Sequence, residues 1–150
     1  MNIRELGHVV LQVTDLDRSL KFYRDTLGLP VVSLGTPRGR RMAFFSLGEK
    51  HHDLALMELE PGSAPQDHTR AGVMHIAFKI GDDVETLREA KARMEAAKVP
   101  VVRTTEHMTT LSLYLSDPDG ITVELYVDTD PATWRDNPNA LGAYAKPLAL

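Results

Sequence analysis

Apolar residues along this chain fall into short dense runs and two longer stretches with helical spacing, and the two kinds alternate in an order that occurs twice. The first run, Leu6–Val13, is dense enough for a strand buried on both faces. Thr14 or Asp15 then reads as an N-cap, and Leu16, Leu20, Phe22, Tyr23 and Leu27 mark a helix over Asp15–Leu27 that Gly28 can end. Short strands follow at Val31–Leu34, Arg41–Leu47 and His52–Leu59, with a turn at Gly35–Gly39. After a polar stretch rich in Pro and Gly the order begins again. Gly72–Gly81 reads as a strand, and Asp82 or Asp83 caps a helix through Lys98 with Val84, Leu87, Ala90, Met94 and Ala97 inward. Strands at Val101–Thr105, Leu111–Leu115 and Ile121–Val127 complete the second half. The tail Asp128–Leu150 reads as a surface extension with one helical turn near Thr133–Trp134.

The pattern is strand, helix, strand, strand, strand, twice. It predicts an α/β (α+β) protein in which two βαβββ modules form one curved mixed sheet. Residues 1–60 make the first module, 61–71 a linker, 72–127 the second module and 128–150 the extension, in one structural domain overall. Two histidines occupy matching places. His8 and His75 are 67 residues apart, and Glu58 and Glu124, each in the last strand of its half, are 66 apart. A pseudo-twofold relation between the halves would bring these side chains toward one point.

Composition narrows the chemistry. The chain has 150 residues and no cysteine, so disulfides, thiolate metal sites and cysteine nucleophiles are excluded. Any transition-metal site must use imidazole and carboxylate. A net charge of -4 gives no reason to invoke nucleic acid or an anionic membrane, and no apolar run reaches membrane-spanning length. No secretory leader is visible at Met1–Leu6, so a cytoplasmic protein is expected.

Strand alternation puts His8 with Val10 and Gln12, His75 with Ala77 and Lys79, Glu124 with Thr122 and Tyr126, and His52 with Leu54, Leu56 and Glu58. A lone histidine on a strand is most often a satisfied core residue; two at repeat positions beside a glutamate point to metal. Two imidazoles and one carboxylate form the facial triad of non-haem iron(II) oxygenases, whose open positions admit a diol and dioxygen. Asp117-Pro118-Asp119-Gly120 is a turn on physical grounds and carries no chemistry. Arg38, Arg40 and Arg41 read as a solvated hairpin, and His51 and His68 as surface residues.

Several segments together resemble the vicinal oxygen chelate superfamily, the glyoxalase/bleomycin resistance/extradiol dioxygenase group. They are Gly7-His8-Val9-Val10-Leu11 with the helix Asp15–Leu29, His51-His52-Asp53-Leu54-Ala55-Leu56, His75-Ile76-Ala77-Phe78, and Tyr114–Gly120 leading into Val123-Glu124-Leu125-Tyr126. Within it the chain is similar to type I extradiol dioxygenases of the catechol 2,3-dioxygenase kind. The resemblance implies Fe(II) ligands His8, His75 and Glu124, with His52 as acid/base, Tyr114 as a donor to the metal-bound substrate oxygen and His107 in the substrate pocket. Met108 follows His107 where glycine is frequent in that family. The implied partners are an aromatic diol and dioxygen. A homodimer is expected, because short strands in a half-open sheet leave edges to cover.

Other members of the superfamily set the alternatives. Glu58 as a fourth ligand would resemble glyoxalase I, which uses Ni or Zn. A His8, His75 and Glu124 set is also similar to the Mn site of fosfomycin-resistance transferases. Bleomycin-binding members hold a ligand without metal and have no use for that set.

Overall fold

The computed structural model describes residues 1–129, 131–137, 139, 142 and 144–150, with the side chains of 131, 133 and 134 outside the described set. The first unit runs β1 (Val9–Val13), α1 (Leu16–Leu20) widening into a looser helical stretch over Lys21–Thr26, β2 (Val31–Gly35), β3 (Met42–Phe45) and β4 (Leu54–Glu58). The second runs β5 (His75–Gly81), α2 (Val84–Ala96), β6 (Val101–His107), β7 (Thr110–Ser116), β8 (Thr122–Asp128), α3 (Pro131–Asp136) and β9 (Ala145–Pro147). The chain divides into two compact units, Met1–Asp67 and His68–Leu150. Among the described residues no helix is long and apolar enough to cross a membrane.

In the first unit the strand order is β1-β4-β3-β2, and in the second β5-β8-β7-β6-β9. The first and last strands of each module pair in parallel, β1 with β4 and β5 with β8, and the remaining pairs are antiparallel. A parallel pair cannot be joined by a tight turn, so each module crosses over through a helix and returns through a meander. Each first strand thus finds its partner within its own module. The ladders form two sheets, one per unit, where the sequence pattern leads one to expect a single curved sheet.

The tail does more than lie on a surface. β9 adds an edge strand to β6, pairing Thr105 with Pro147 and His107 with Ala145. Pro147 lacks an N–H and fits an edge, where one side of a strand needs no partner. Helix α3 covers the helical turn expected near Thr133–Trp134, and the Trp134 side chain lies outside the described residues.

Register fixes which side chains share a face. In the second unit Leu113, Leu115, Val123, Leu125 and Val127 are buried, together with Leu87 and Met94 of α2. The other face of that sheet carries Ala77 opposite Glu124, Glu124 opposite Tyr114, and Tyr114 opposite Arg103. In the first unit Leu11, Val13, Ala43, Phe45, Leu54 and Leu56 are buried with Leu16, Leu20 and Tyr23. Its other face carries Val10, Gln12, Phe44 and Met57.

Helices α1 and α2 each start on an aspartate. Asp15 accepts from the Arg18 N–H at 2.9 Å and Asp83 from the Thr86 N–H at 2.9 Å, each satisfying one of the unpaired donors of a first turn. At Phe22 the first helix widens, with Leu27 N donating to Phe22 O at 2.9 Å, and adjacent Phe22 and Tyr23 are both buried. Their rings meet edge-on at 5.0 Å. Ala97, expected inward, is exposed, since α2 ends at Ala96.

The helix exits show the repeat again. Gly28-Leu29-Pro30-Val31-Val32 matches Lys98-Val99-Pro100-Val101-Val102. Gly28 has φ 85° and Lys98 has φ 57°, both left-handed. Val99 N closes onto Met94 O at 2.9 Å, a bond that requires this turn. A side chain there costs roughly 1–2 kcal/mol, part of which glycine returns as backbone entropy. Lys98→Gly, which installs the residue of the first module, should therefore stabilise the protein by about 0.5–1 kcal/mol in urea unfolding, with the slope unchanged.

Candidate metal and substrate site

The open face of the second sheet holds a cavity of about 630 Å³ lined by His75, Ala77, His107, Thr109, Thr110, Tyr114, Glu124, Tyr126 and Asp128. His75 opens β5 and Glu124 lies on the adjoining β8; the parallel register sets His75 opposite Thr122 and Ala77 opposite Glu124, so His75 and Glu124 share a face as diagonal neighbours. His75 Nε2 is 3.1 Å from Glu124 Oε2. An imidazole lone pair and a carboxylate oxygen repel unless a cation, either a proton or a metal ion, stands between them. Two ligand atoms at about 2.1 Å from one metal, roughly at right angles, are separated by about 3 Å, so the spacing suits either cation. The other ring nitrogen, His75 Nδ1, is buried with no hydrogen-bond partner.

Glu124 is only 8% exposed. Ser112, fully buried on β7, donates its hydroxyl to Glu124 Oε1 at 2.6 Å. Tyr114 stands next along the face. Its hydroxyl is 3.1 Å from His107 Nε2, and the Arg103 guanidinium lies over its ring at 4.0 Å. Burial, then the Glu124 carboxylate, holds the Tyr114 phenol above its usual range, against a smaller opposing pull from Arg103. Tyr126 is also raised, by burial and then by Asp128. Both are neutral donors at physiological pH. Across the cavity Asp128 pairs with Lys79 at 2.7 Å.

The first unit gathers a different set. His8 precedes β1 and His52 precedes β4, and Val9 N donates to Asp53 O at 3.0 Å where this parallel pair begins. The two rings come to 4.2 Å, and His51 joins them at 4.4 Å from His52. Burial, then the neighbouring His8 and His51, lowers the His52 pKa and favours its neutral, basic form. His51 is exposed as expected, but it belongs to this cluster. Strand alternation grouped His52 with Leu54, yet the His52 ring packs against Phe44 at 5.3 Å, on the opposite face, because residues 52 and 53 precede the strand.

Glu58 has another job. Its Oε1 accepts from the Leu16 N–H at 2.9 Å and from Arg41 at 3.2 Å, so it caps α1 from across the sheet. Arg41 also binds Asp17 at 2.7 Å and is no merely solvated residue. The pairing of Glu58 with Glu124 by sequence offset is corrected by the ladders. With His8 set on His75, Val10 opposite Ala55 matches Ala77 opposite Glu124. The counterpart of Glu124 is Ala55. The second module has two more residues than the first between its histidine and this position, which a single offset cannot show. The two units therefore supply one carboxylate at this position.

Among the described residues no three His, Asp or Glu side chains stand together as a preformed metal group; His75 and Glu124 are a pair. Sequence reasoning missed Ser112, Arg103 and Asp128, and gave Tyr126 its face but no role. The alternation of β6, β7 and β8 around Tyr114 and Glu124 carried the signal for all of them.

The raised tyrosines give a pH test. Below about pH 10 the phenols are neutral in folded and unfolded chains alike. Above it the unfolded chain releases protons that Tyr114 and Tyr126 keep when folded, so stability is lost as pH rises through the folded values. Tyr114→Phe and Tyr126→Phe should each flatten this alkaline loss of thermal midpoint, measured from about pH 8 to 11; an unchanged slope in both variants refutes it.

Comparison with known proteins agrees with the geometry. The family model for the Glyoxalase/Bleomycin resistance protein/Dioxygenase superfamily matches residues 5–125. The chain is 32% identical over 127 residues to biphenyl-2,3-diol 1,2-dioxygenase 2 of Rhodococcus globerulus, covering 83% of this chain and 63% of that protein. It is 31% identical over 126 residues to a probable lactoylglutathione lyase of Synechocystis sp. (strain ATCC 27184 / PCC 6803 / Kazusa), covering 80% of this chain and 92% of that one. A glyoxylase/bleomycin resistance protein/dioxygenase domain from Frankia sp. EAN1pec superposes with a TM-score of 0.73 at 25% identity, covering 85% of this chain and 100% of that chain. The chain thus spans 63% of the length of the first of these relatives. Its paired βαβββ units, its histidine at the mouth of each parallel strand pair and the match over residues 5–125 make it a member of the Glyoxalase/Bleomycin resistance protein/Dioxygenase superfamily.

Proposed function

We propose that this chain is an Fe(II)-dependent extradiol dioxygenase that cleaves a catechol-type aromatic ring with dioxygen. His75 and Glu124, which stand together in the second unit, would hold the metal, and the resemblance implies His8 as a further ligand. The observation that carries the reading is the carboxylate count. Ala55 holds in the first unit the ladder position that Glu124 holds in the second, and Glu58 is engaged by Leu16 and Arg41. One carboxylate with two imidazoles is the donor set of non-haem iron oxygenases.

When bound, iron supplies adjacent open positions for a diol and dioxygen. The remaining chemistry belongs to the chain's own side chains. A catechol must lose a hydroxyl proton to bind as an anion, and the neutral His52 imidazole accepts it. The neutral Tyr114 phenol offers its O–H to a substrate oxygen, with His107 at 3.1 Å and Arg103 over the ring fixing its position. Thr109, Thr110 and Tyr126 line the cavity beyond.

A lyase acting on a hemithioacetal is the second reading. It is favoured by the 92% coverage of the Synechocystis relative, against 63% for the dioxygenase. Metal analysis of protein purified without air separates the two: iron supports ring cleavage, and nickel or zinc the lyase. A catechol panel read by the yellow ring-opened product, set against hemithioacetal turnover, decides the substrate. His52→Ala should lower ring cleavage by about 10²–10⁴-fold with iron retained, whereas His75→Ala should lose the metal. Full ring cleavage by His52→Ala would remove His52 from the mechanism.

A further inference from the structure

The polar face of the second unit contains one fully buried hydroxyl whose position the proposed chemistry does not yet explain. Ser112 has no solvent exposure, and its Oγ lies 2.6 Å from Glu124 Oε1. An ionised carboxylate accepts hydrogen bonds and donates none, so the single O–H proton of Ser112 is directed at Glu124. Thr110 Oγ1 is 3.5 Å from Ser112 Oγ. With the serine proton already directed, Thr110 can only be the donor in that contact. The protons therefore run from Thr110 to Ser112 to Glu124, ending on one carboxylate oxygen and leaving the other, Oε2, facing His75.

The first unit has no such device. The ladder position equivalent to Ser112 holds Met42, just as the position equivalent to Glu124 holds Ala55. The hydroxyl and the carboxylate occur in the same unit and are absent from the same places in the other. A serine serving only the core would gain nothing from facing away from the helix side. Ser112 shares its face with Tyr114, not with Leu113 and Leu115, which are buried on the α2 side.

We infer that Ser112 is a positioning residue for the metal: its hydrogen bond to Oε1 restricts Glu124 to presenting Oε2 alone to a divalent cation. This rests on the metal reading above. Partners of ligating carboxylates typically contribute 10–100-fold to metal affinity by orienting the ligand and raising its basicity.

The test uses Mn(II) as probe, with free ion counted by electron paramagnetic resonance against the full chain, and thermal melts alongside. Wild type should bind Mn(II), and Ser112→Ala should bind about 10–100-fold more weakly. Ser112→Thr, which keeps the hydroxyl, should recover most of that loss. A merely structural role would lower the melting temperature of both variants without separating them in affinity. If Ser112→Ala binds Mn(II) as tightly as wild type while His75→Ala does not bind, the inference is overturned and the metal reading stands. If wild type itself does not bind, the metal reading falls and takes this inference with it.

Discussion

Everything at the site follows from one constraint, the parallel pairing of the first and last strands in each module. Parallel neighbours begin at the same edge of a sheet, so residues at their starts are brought together whatever the length of chain between them. In the second unit this sets His75, at the start of β5, opposite Thr122 at the start of β8, with Glu124 its diagonal neighbour on the same face. In the first it brings His8 and His52, each just ahead of its strand, into ring contact at 4.2 Å. The crossover helix that parallel pairing requires covers the opposite face, with Leu16, Leu20 and Tyr23 in the first unit and Leu87 and Met94 in the second. One face becomes core and the other is left for polar groups.

Much of this was legible in the chain. Each helix and strand expected from the apolar pattern exists, because spacing, an aspartate cap and a glycine or proline at the exit all agree at those places. The wider helical turn at Phe22 was not legible, since it depends on packing two adjacent aromatics against one sheet. Nor was β9, because a three-residue strand containing Pro147 carries no periodicity. At the site, alternation correctly grouped Glu124 with Tyr126 and His75 with Ala77. It failed for His52, where the strand had not yet begun, and a face assignment cannot be extended past the ladder that enforces it.

Glu58 shows the deeper limit. A glutamate in the last strand of each module looks like a repeated ligand when positions are compared by subtraction. The structure compares them by hydrogen-bonded register, and two additional residues in the second module move the equivalence from Glu58 to Ala55. Its side chain lies on the helix side, where the unpaired N–H of Leu16 and the charge of Arg41 take both its oxygens. An anionic group at a helix start is favourable on its own account, so no metal is needed to explain the residue.

The two modules share a backbone plan but divide the polar chemistry between them. The first unit contributes imidazoles on the approaches to its strands, with Ala55, Phe44 and Met42 at the sheet positions behind them. The second fills the same three positions with Glu124, Tyr114 and Ser112. A carboxylate held near a neutral phenol and a buried hydroxyl can anchor a cation and orient an oxygen. Imidazoles crowded enough to depress the His52 pKa can take up a proton. A divalent cation held by a single carboxylate keeps net positive charge and can draw in an anion. The asymmetry between Ala55 and Glu124 is therefore not a loss in one repeat. In the function proposed above, a divalent ion held by Glu124 would keep that net positive charge toward a deprotonated diol.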